Sequence, residues 1–401
     1  MNACLYAENH PARFWRPLLS PEPAAGRWDM AARRAAAALP YLARASGDEI
    51  EAILAATLGE GQFGVGHWRL SPLRRLYYLV KPFVPRRVAL QSRRHKRAAV
   101  QRTFPLGWPI EDRYRRFLWE VIGELMHFEG RSELPFIFFW PGAYVYALVL
   151  THDVETIEGQ RFVPEVARLE ERLGFRSAFN FVAERYPLDH GLIEDLIGRG
   201  FEVGVHGRKH DGRELRSRRA FEEHARHINE HLRRLGAVGF RSPLTHRQPE
   251  WMQSLDIEYD MSFFDSDPFE PVPGGTMSLW PFVIGRFLEL PYTLPQDSTL
   301  IDVLGERQPR LWLEKVSYVR RFYGMALLNT HPDYLRERSH FGVYTALLEQ
   351  LQCDQSHWNA LPRYVARWWR RRSRTESVAR LPGARTALVC RDRAGETEVV
   401  I

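Results

Sequence analysis

Three observations predict an α/β fold built on a parallel sheet, open or closed into a barrel. From about residue 144 to 335, short apolar runs alternate with longer amphipathic stretches. Many of those stretches end in Gly, as the C-terminus of a helix should. Residues able to bind metals or move protons close most of the apolar runs, and in either form of the sheet ligands bind outside the carboxyl ends of the strands.

The elements follow in order. Residues 1–140 read as mainly helical and basic, as in RWDMAARRAAAALPYLARA and EDRYRRFLWEVIGELMHFEG, with Pro82, Pro85, Pro105 and Pro109 breaking the region into pieces. In residues 141–340, VYALVLTHD, RSAFNFV, FEVGVHG, AVGFRSP, IEYDMSFF, FLELPYTL and MALLNTHP read as strands. Between several of them lie the helical patterns PEVARLEERLG, HGLIEDLIGRG, AFEEHARHINEHLRRLG and WLEKVSYVRRFYG. Residues 341–401 hold the helical YTALLEQLQ, a basic Trp-rich stretch and TALVCRDRAGETEVVI, which suits a hairpin.

A chain of 401 residues with 45% hydrophobic and 26% charged residues is long enough for one large domain with additions. The opening MNACLYAENHPARFWRPLLSPEP lacks the basic start and apolar centre of a signal peptide, and there is no uninterrupted apolar run of about 20 residues. The expected location is therefore the cytoplasm, with no membrane span. Cys4, Cys353 and Cys390 are far apart, which argues against a disulfide framework and a cysteine-based zinc site.

The net charge of +7 is concentrated in two places. Residues 73–102 carry ten Lys or Arg and no acid, and RYVARWWRRRSR at 363–374 is the second. Within the first, RRLYYLVKPFVPRR mixes aromatic and basic residues as interfacial segments do. It leaves open peripheral contact with an anionic membrane at the inner face, a solvated basic surface, or a surface packed on the barrel. Nucleic acid is not expected, because no recognition module accompanies the charge.

The strand ends carry Thr151, His152, Asp153 and Glu155; Asn180; His206 and His210; Arg241; Asp260 and Asp265; and Asn329, Thr330 and His331. His206 and His210, four apart, would share one face of a helical turn and reach one ion. In isolation the pair is weak, since the chain has 15 histidines and His224, His227 and His231 repeat the spacing. The acidic HDVE closing an earlier strand strengthens it, because two His, one carboxylate and an open position form a usual catalytic set.

Four motifs in order, THDVE at 151–155, HGRKH at 206–210, FRSP at 240–243 and LLNTH at 327–331, resemble those of the polysaccharide deacetylases of the chitin-oligosaccharide deacetylase type. The resemblance covers roughly residues 144–335. It implies a distorted barrel of about seven β/α units, one divalent ion, usually zinc, and a carbohydrate substrate that loses an acetyl group to metal-activated water. It also implies roles: Asp153 as general base, His206 and His210 as ligands, Arg241 orienting the base and His331 as general acid.

One departure stands out. Where the family commonly has a second aspartate after the base, this chain has Val154, which cannot bind metal. Residues two apart on a strand point the same way, so Glu155 is the expected metal carboxylate. The alternative is Asp153 itself as ligand, with Glu155 behind it.

Other features keep two readings. Asp260, Asp265, Asp267 and Trp280 lie in a Pro/Gly-rich run that suits a sugar-lining loop or a structural loop with Asx-turns. Asp297 either supports a catalytic His or, by slight preference, starts the helix TLIDVLGER. His152 is expected to be packed or to support the site from behind. The leading function is a metal-dependent carbohydrate deacetylase. A catalytically inactive carbohydrate-binding barrel and a metal phosphohydrolase, reading His210 with Asp211 as its doublet, are the alternatives.

Overall fold

A computed structural model describes residues 3–39, 50–64, 66–68, 86–391 and 396–401. Its centre is strand β2 (Tyr146–Val154), buried along its whole length. Such a near-continuous apolar run is what a strand covered on both faces requires. On one side lies β9 (Met325–Thr330), and on the other β3 (Ala178–Phe181), paired from Thr151 onward. The short β10 (His357–Asn359) pairs with the first residues of β2.

From β3 the sheet continues through β4 (Glu202–Val205), β5 (Gly239–Phe240), β6 (Tyr259–Asp260) and β8 (Phe287–Glu289), all parallel. The β7 strand (Phe282–Ile284) closes the edge antiparallel to β8. With β9 and β2 these make seven parallel strands in one curled sheet, a distorted (β/α) barrel of the expected kind. The gap between β8 and β9 is bridged by Thr293 and Leu294, whose N–H groups both donate to the Leu327 carbonyl at 3.2 and 3.1 Å.

The crossover helices begin where the sequence supplies caps. Thr156, Asp189 and Ser217 each accept a backbone N–H at the start of the helices Ile157–Arg172, His190–Gly198 and Arg218–Leu235. Gly236, at φ 59°, ends the last of these in the left-handed conformation.

The flanking segments pack on the barrel. The β1 strand (Glu133–Ile137) pairs antiparallel with β11 (Thr386–Arg391), which pairs antiparallel in turn with β12 (Thr397–Val400). Trp15, Trp119, Phe136, Phe139 and Trp280 stack in one buried aromatic cluster. Trp280 is therefore part of the core rather than of the candidate site. Its Nε1 donates to the Tyr323 carbonyl at 2.9 Å, just before β9 starts, at the opposite end of the strands from the candidate site residues.

The Trp-rich basic stretch is the helix Pro362–Arg374, and its cations are largely engaged. Arg363 pairs with Glu202, Arg367 with Glu258 and Arg374 with Glu8, while Arg372 is fully buried. Most of RRLYYLVKPFVPRR lies outside the described residues. Among the described residues no helix is long and apolar enough to cross a membrane.

Candidate active site

Asp153 sits one residue before the end of β2, opposite Asn180 of β3 in the strand register. Directly opposed side chains on neighbouring strands meet, and Asn180 Nδ2 donates to Asp153 Oδ1 at 3.0 Å. From β9 on the other side, Asn329 Nδ2 donates to Oδ2 at 2.9 Å. Arg241, just past β5, adds a donor to Oδ1 at 3.2 Å from Nη1, which also donates to Thr151 at 3.0 Å. Arg241 Nε is tied to the Met261 carbonyl at 2.8 Å. Burial alone would raise the Asp153 carboxyl, but Arg241, His206, His331 and Asn180 outweigh it and hold it at about 2.

His206 and His210 do not lie on a helical turn. A loop after β4 brings them together, with Gly207 at φ 64° and His210 itself at φ 56°. At Gly207 a side chain would collide with Pro243 of the Arg241 loop, a Cβ standing 2.3 Å from its Cγ. Glu214 fixes the same loop by accepting the N–H groups of Arg208 and Lys209 at 2.6 and 3.2 Å. The two imidazole rings end 5.1 Å apart.

Glu155 completes a triangle with them. One ligand atom each from Glu155, His206 and His210 lies within 4.8 Å of the other two. Glu155 Oε1 is 3.0 Å from His210 Nε2, 4.0 Å from His206 Nε2 and 3.8 Å from His331 Nε2. Burial opposes its charge, but His210, His331 and His206 hold it well below the usual carboxylate range. His206 Nδ1 faces the Arg241 carbonyl at 3.1 Å, which fixes the proton there and leaves Nε2 as a lone pair. Burial lowers His206 to about 4, so it is neutral at pH 7, as a ligand must be.

These donors, two imidazoles and a carboxylate, suit a divalent ion of the zinc type, for which three protein ligands leave a coordination position for water or substrate. Asp153 Oδ2 is 3.8 Å from His206 Nε2, but both of its oxygens already accept protein donors.

His331 follows β9 and faces the triangle through Nε2. Its Nδ1 lies 2.7 Å from Asp297 Oδ1, and its backbone N–H donates to Asp297 Oδ2 at 2.8 Å. Burial would lower His331, but Asp297, Glu155 and Asp153 together raise it to about 10. Asp297 thus does more than start the following helical turn, Ser298–Val303, whose first N–H it also accepts at 2.7 Å. The preference for a purely helical role is corrected: the strand-end geometry brings His331 onto the same carboxylate.

The other candidates lie apart from this cluster. His152 is fully buried, stacked on Phe179 and bonded to Glu170 and Thr330 at 2.7 Å each. Asp260 is buried against Ser262, Asp265 is paired with Lys315 at 2.7 Å, and Asp267 makes an Asx-turn to the Phe269 N–H. Asp211 bonds the Arg213 N–H at 3.0 Å outside the triangle, and the parallel sheet is foreign to the all-helical phosphohydrolase reading. Sequence reasoning missed Glu214 and also Asp333, whose carboxylate holds the Glu155 turn. An acid two residues after His331 was the one signal for it.

No protein-family model and no curated protein matches the chain. Solved structures do. A Mycobacterium smegmatis protein described as a polysaccharide deacetylase matches with 16% identity and a TM-score of 0.48, over 59% of this chain and 94% of that one. A Pseudomonas aeruginosa PAO1 protein of the same description matches with 17% identity and a TM-score of 0.47, over 58% and 93%. The Puue allantoinase matches with 16% identity and a TM-score of 0.44, over 59% and 94%. The chain is similar in fold, over somewhat more than half its length, to polysaccharide deacetylases.

Proposed function

We propose that the chain is a metal-dependent hydrolase that removes the acetyl group from an N-acetylated sugar of a glycan or glycan precursor. The observation that carries this reading is the Glu155–His206–His210 triangle with Asp153 on one flank and His331 on the other. A divalent ion, zinc by preference, supplies an acidified water and polarises the amide carbonyl when bound.

The chain's own residues divide the remaining work. Asp153 is anionic throughout the working range and takes the proton of the attacking water, while Asn180, Asn329 and Arg241 fix its direction. Glu155, rather than Asp153, serves as the metal carboxylate, because its Oε1 is the oxygen that all three imidazoles approach. His331 carries a proton on Nε2, held by its bond to Asp297, and delivers it to the departing sugar amine. An inactive binding barrel would have no use for this acid and base pair. In the cytoplasm the substrate would be a glycan precursor, and a basic helix such as Arg86–Thr103 favours one carried at an anionic membrane face.

The test is direct. Purified protein should contain about one zinc per chain, the number this single three-donor site can hold, and release acetate from an N-acetylhexosamine oligomer. His206→Ala should abolish both. Protein of high purity that takes up no metal, or glycan binding without turnover across several divalent ions, would sink the proposal.

A further inference from the structure

Glu155 lies one residue beyond Val154, the last residue of β2 paired with a neighbour, so its backbone N–H falls outside the sheet ladder. A buried or half-buried N–H needs an acceptor, and Asp333 provides it. Asp333 Oδ2 accepts the Glu155 N–H at 3.0 Å, and Oδ1 accepts the hydroxyl of Thr156. The Thr156 oxygen in turn accepts the Gly159 N–H at 3.2 Å, which starts the helix Ile157–Arg172.

The fit around Asp333 is close. A Cβ on Gly159 would stand 2.3 Å from Asp333 Oδ2, so only glycine admits the carboxylate at this point. Asp333 comes from the short helix Pro332–Leu335 that follows His331 directly. One carboxylate therefore ties the turn bearing Glu155 to the segment bearing His331.

Among the described residues, the Glu155 carboxylate itself is met by His210, His206 and His331, all of them groups of the site. Glu has three rotatable side-chain bonds, and an unanchored one loses more freedom on binding an ion than an anchored one. What steadies Glu155 from outside the site is its backbone: Asp333 grips its N–H, while the Tyr186 hydroxyl and the Val182 N–H hold the carbonyl of the same peptide, that of Val154, at 2.5 and 3.3 Å.

We infer that Asp333 is a positioning residue for the metal carboxylate: it fixes the Glu155–Thr156 turn, and with it the metal affinity of the Glu155–His206–His210 set. The inference rests on the reading of these three residues as ligands. Partners that orient a ligand from behind typically change metal affinity by about 10- to 100-fold when removed.

The experiment uses the full chain and zinc alone, titrated in competition with a chelating dye. Asp333→Ala should raise the zinc Kd about 10- to 100-fold, whereas Asp333→Asn, whose amide oxygen can still accept the Glu155 N–H, should stay within about threefold of the parent. Gly159→Ala should weaken zinc as Asp333→Ala does, by displacing the Asp333 carboxylate. An unchanged far-ultraviolet circular dichroism spectrum of the metal-free Asp333→Ala and Gly159→Ala chains, together with the retained affinity of Asp333→Asn, separates positioning from a loss of fold.

Zinc affinities of Asp333→Ala and Gly159→Ala within about twofold of the parent, with His210→Ala having lost zinc, would overturn the role of Asp333 alone; the margin lies well below the tenfold floor expected. A His210→Ala chain that binds zinc as the parent does would overturn the ligand reading, and the inference with it.

Discussion

Asp297 and His331 are 34 residues apart in the chain and joined by two hydrogen bonds, one through the His331 backbone N–H at 2.8 Å and one through Nδ1 at 2.7 Å. The pair fixes the tautomer, the ring direction and the charge of the imidazole at once. Asp297→Asn should therefore lower kcat by about 10² or more, since a positioned acid contributes about 10²–10⁴, with zinc content unchanged. The His331 pKa, which Asp297 with Glu155 and Asp153 raises to about 10 against burial, should fall in the variant. Because the acid form is the one that donates, the alkaline limb of the kcat profile should move to lower pH. A variant that loses kcat with no movement of that limb would argue for a structural role only.

Removing the metal should leave the barrel standing. Glu155 and His210 are 3.0 Å apart and can pair with each other, and His206 keeps its bond to the Arg241 carbonyl. A chelator should abolish turnover while the far-ultraviolet circular dichroism stays unchanged, and zinc should restore activity. Burial opposes the proton on His210, but Glu155 outweighs burial and raises His210 above its usual 6.5. That proton competes with the ion, so zinc affinity should weaken with falling pH from a point above 6.5. An affinity flat from pH 8 to pH 6 would contradict the assignment.

Glu60, from the N-terminal region, is bound by Arg247 through Nε and Nη2 at 2.6 Å each, by the Gly275 N–H at 2.7 Å and by His67 at 2.9 Å. Arg247 lies in the loop after Arg241, so this knot locks the N-terminal region onto the barrel loops. Glu60→Gln should destabilise the protein by about 3–5 kcal/mol at neutral pH, because it strands a buried guanidinium. Urea unfolding measures it. Burial alone would raise the Glu60 carboxyl, yet Arg247 and His67 hold it at about 2, below its ordinary 4.5. The folded state therefore binds this proton less readily than the unfolded one. The contribution is complete above about pH 4.5 and fades as pH falls toward 2, so parent and variant should converge in acid.

Much of this was legible in the sequence because periodicity and position carry it. A strand such as MALLNT ends where its apolar run ends, so Asn329 and His331 could be assigned to the strand-end face without coordinates. The four motifs then singled out Asp153, Glu155, His206, His210, Arg241 and His331, which the fold brings to one place. What could not be read is what depends on distant segments meeting. Asp297 in ELPYTLPQD has the local pattern of a helix start, and its second role exists only because β9 delivers His331 beside it. Trp280 in a Pro/Gly-rich run suits a groove as well as a core until its partners Trp119 and Phe139 are known. The histidine pair had helical spacing but sits in a loop, because Gly207 and His210 take left-handed backbone angles that spacing does not reveal.

The charge of the C-terminal helix is also decided by tertiary contacts. Arg372 is fully buried and donates to three backbone carbonyls, Phe138 at 2.9 Å, Phe14 at 2.8 Å and Ile137 at 2.6 Å. Its planar group lies over Phe139 and Trp369, 4.9 and 5.2 Å from the ring centroids. Arg372→Met should cost about 3 kcal/mol or more, since each buried acceptor left bare costs about 1–3 kcal/mol. Arg372→Lys should recover only part of that, because a single ammonium cannot reproduce the fork. The exposed neighbour Arg371→Met should change stability by no more than about 0.5 kcal/mol. If this helix were instead a membrane-facing cationic surface, Arg371 and Arg372 would weaken binding to anionic vesicles alike, and neither would shift the urea midpoint. The three carbonyl bonds predict the opposite: a large midpoint shift for Arg372, almost none for Arg371, and vesicle binding that does not track either.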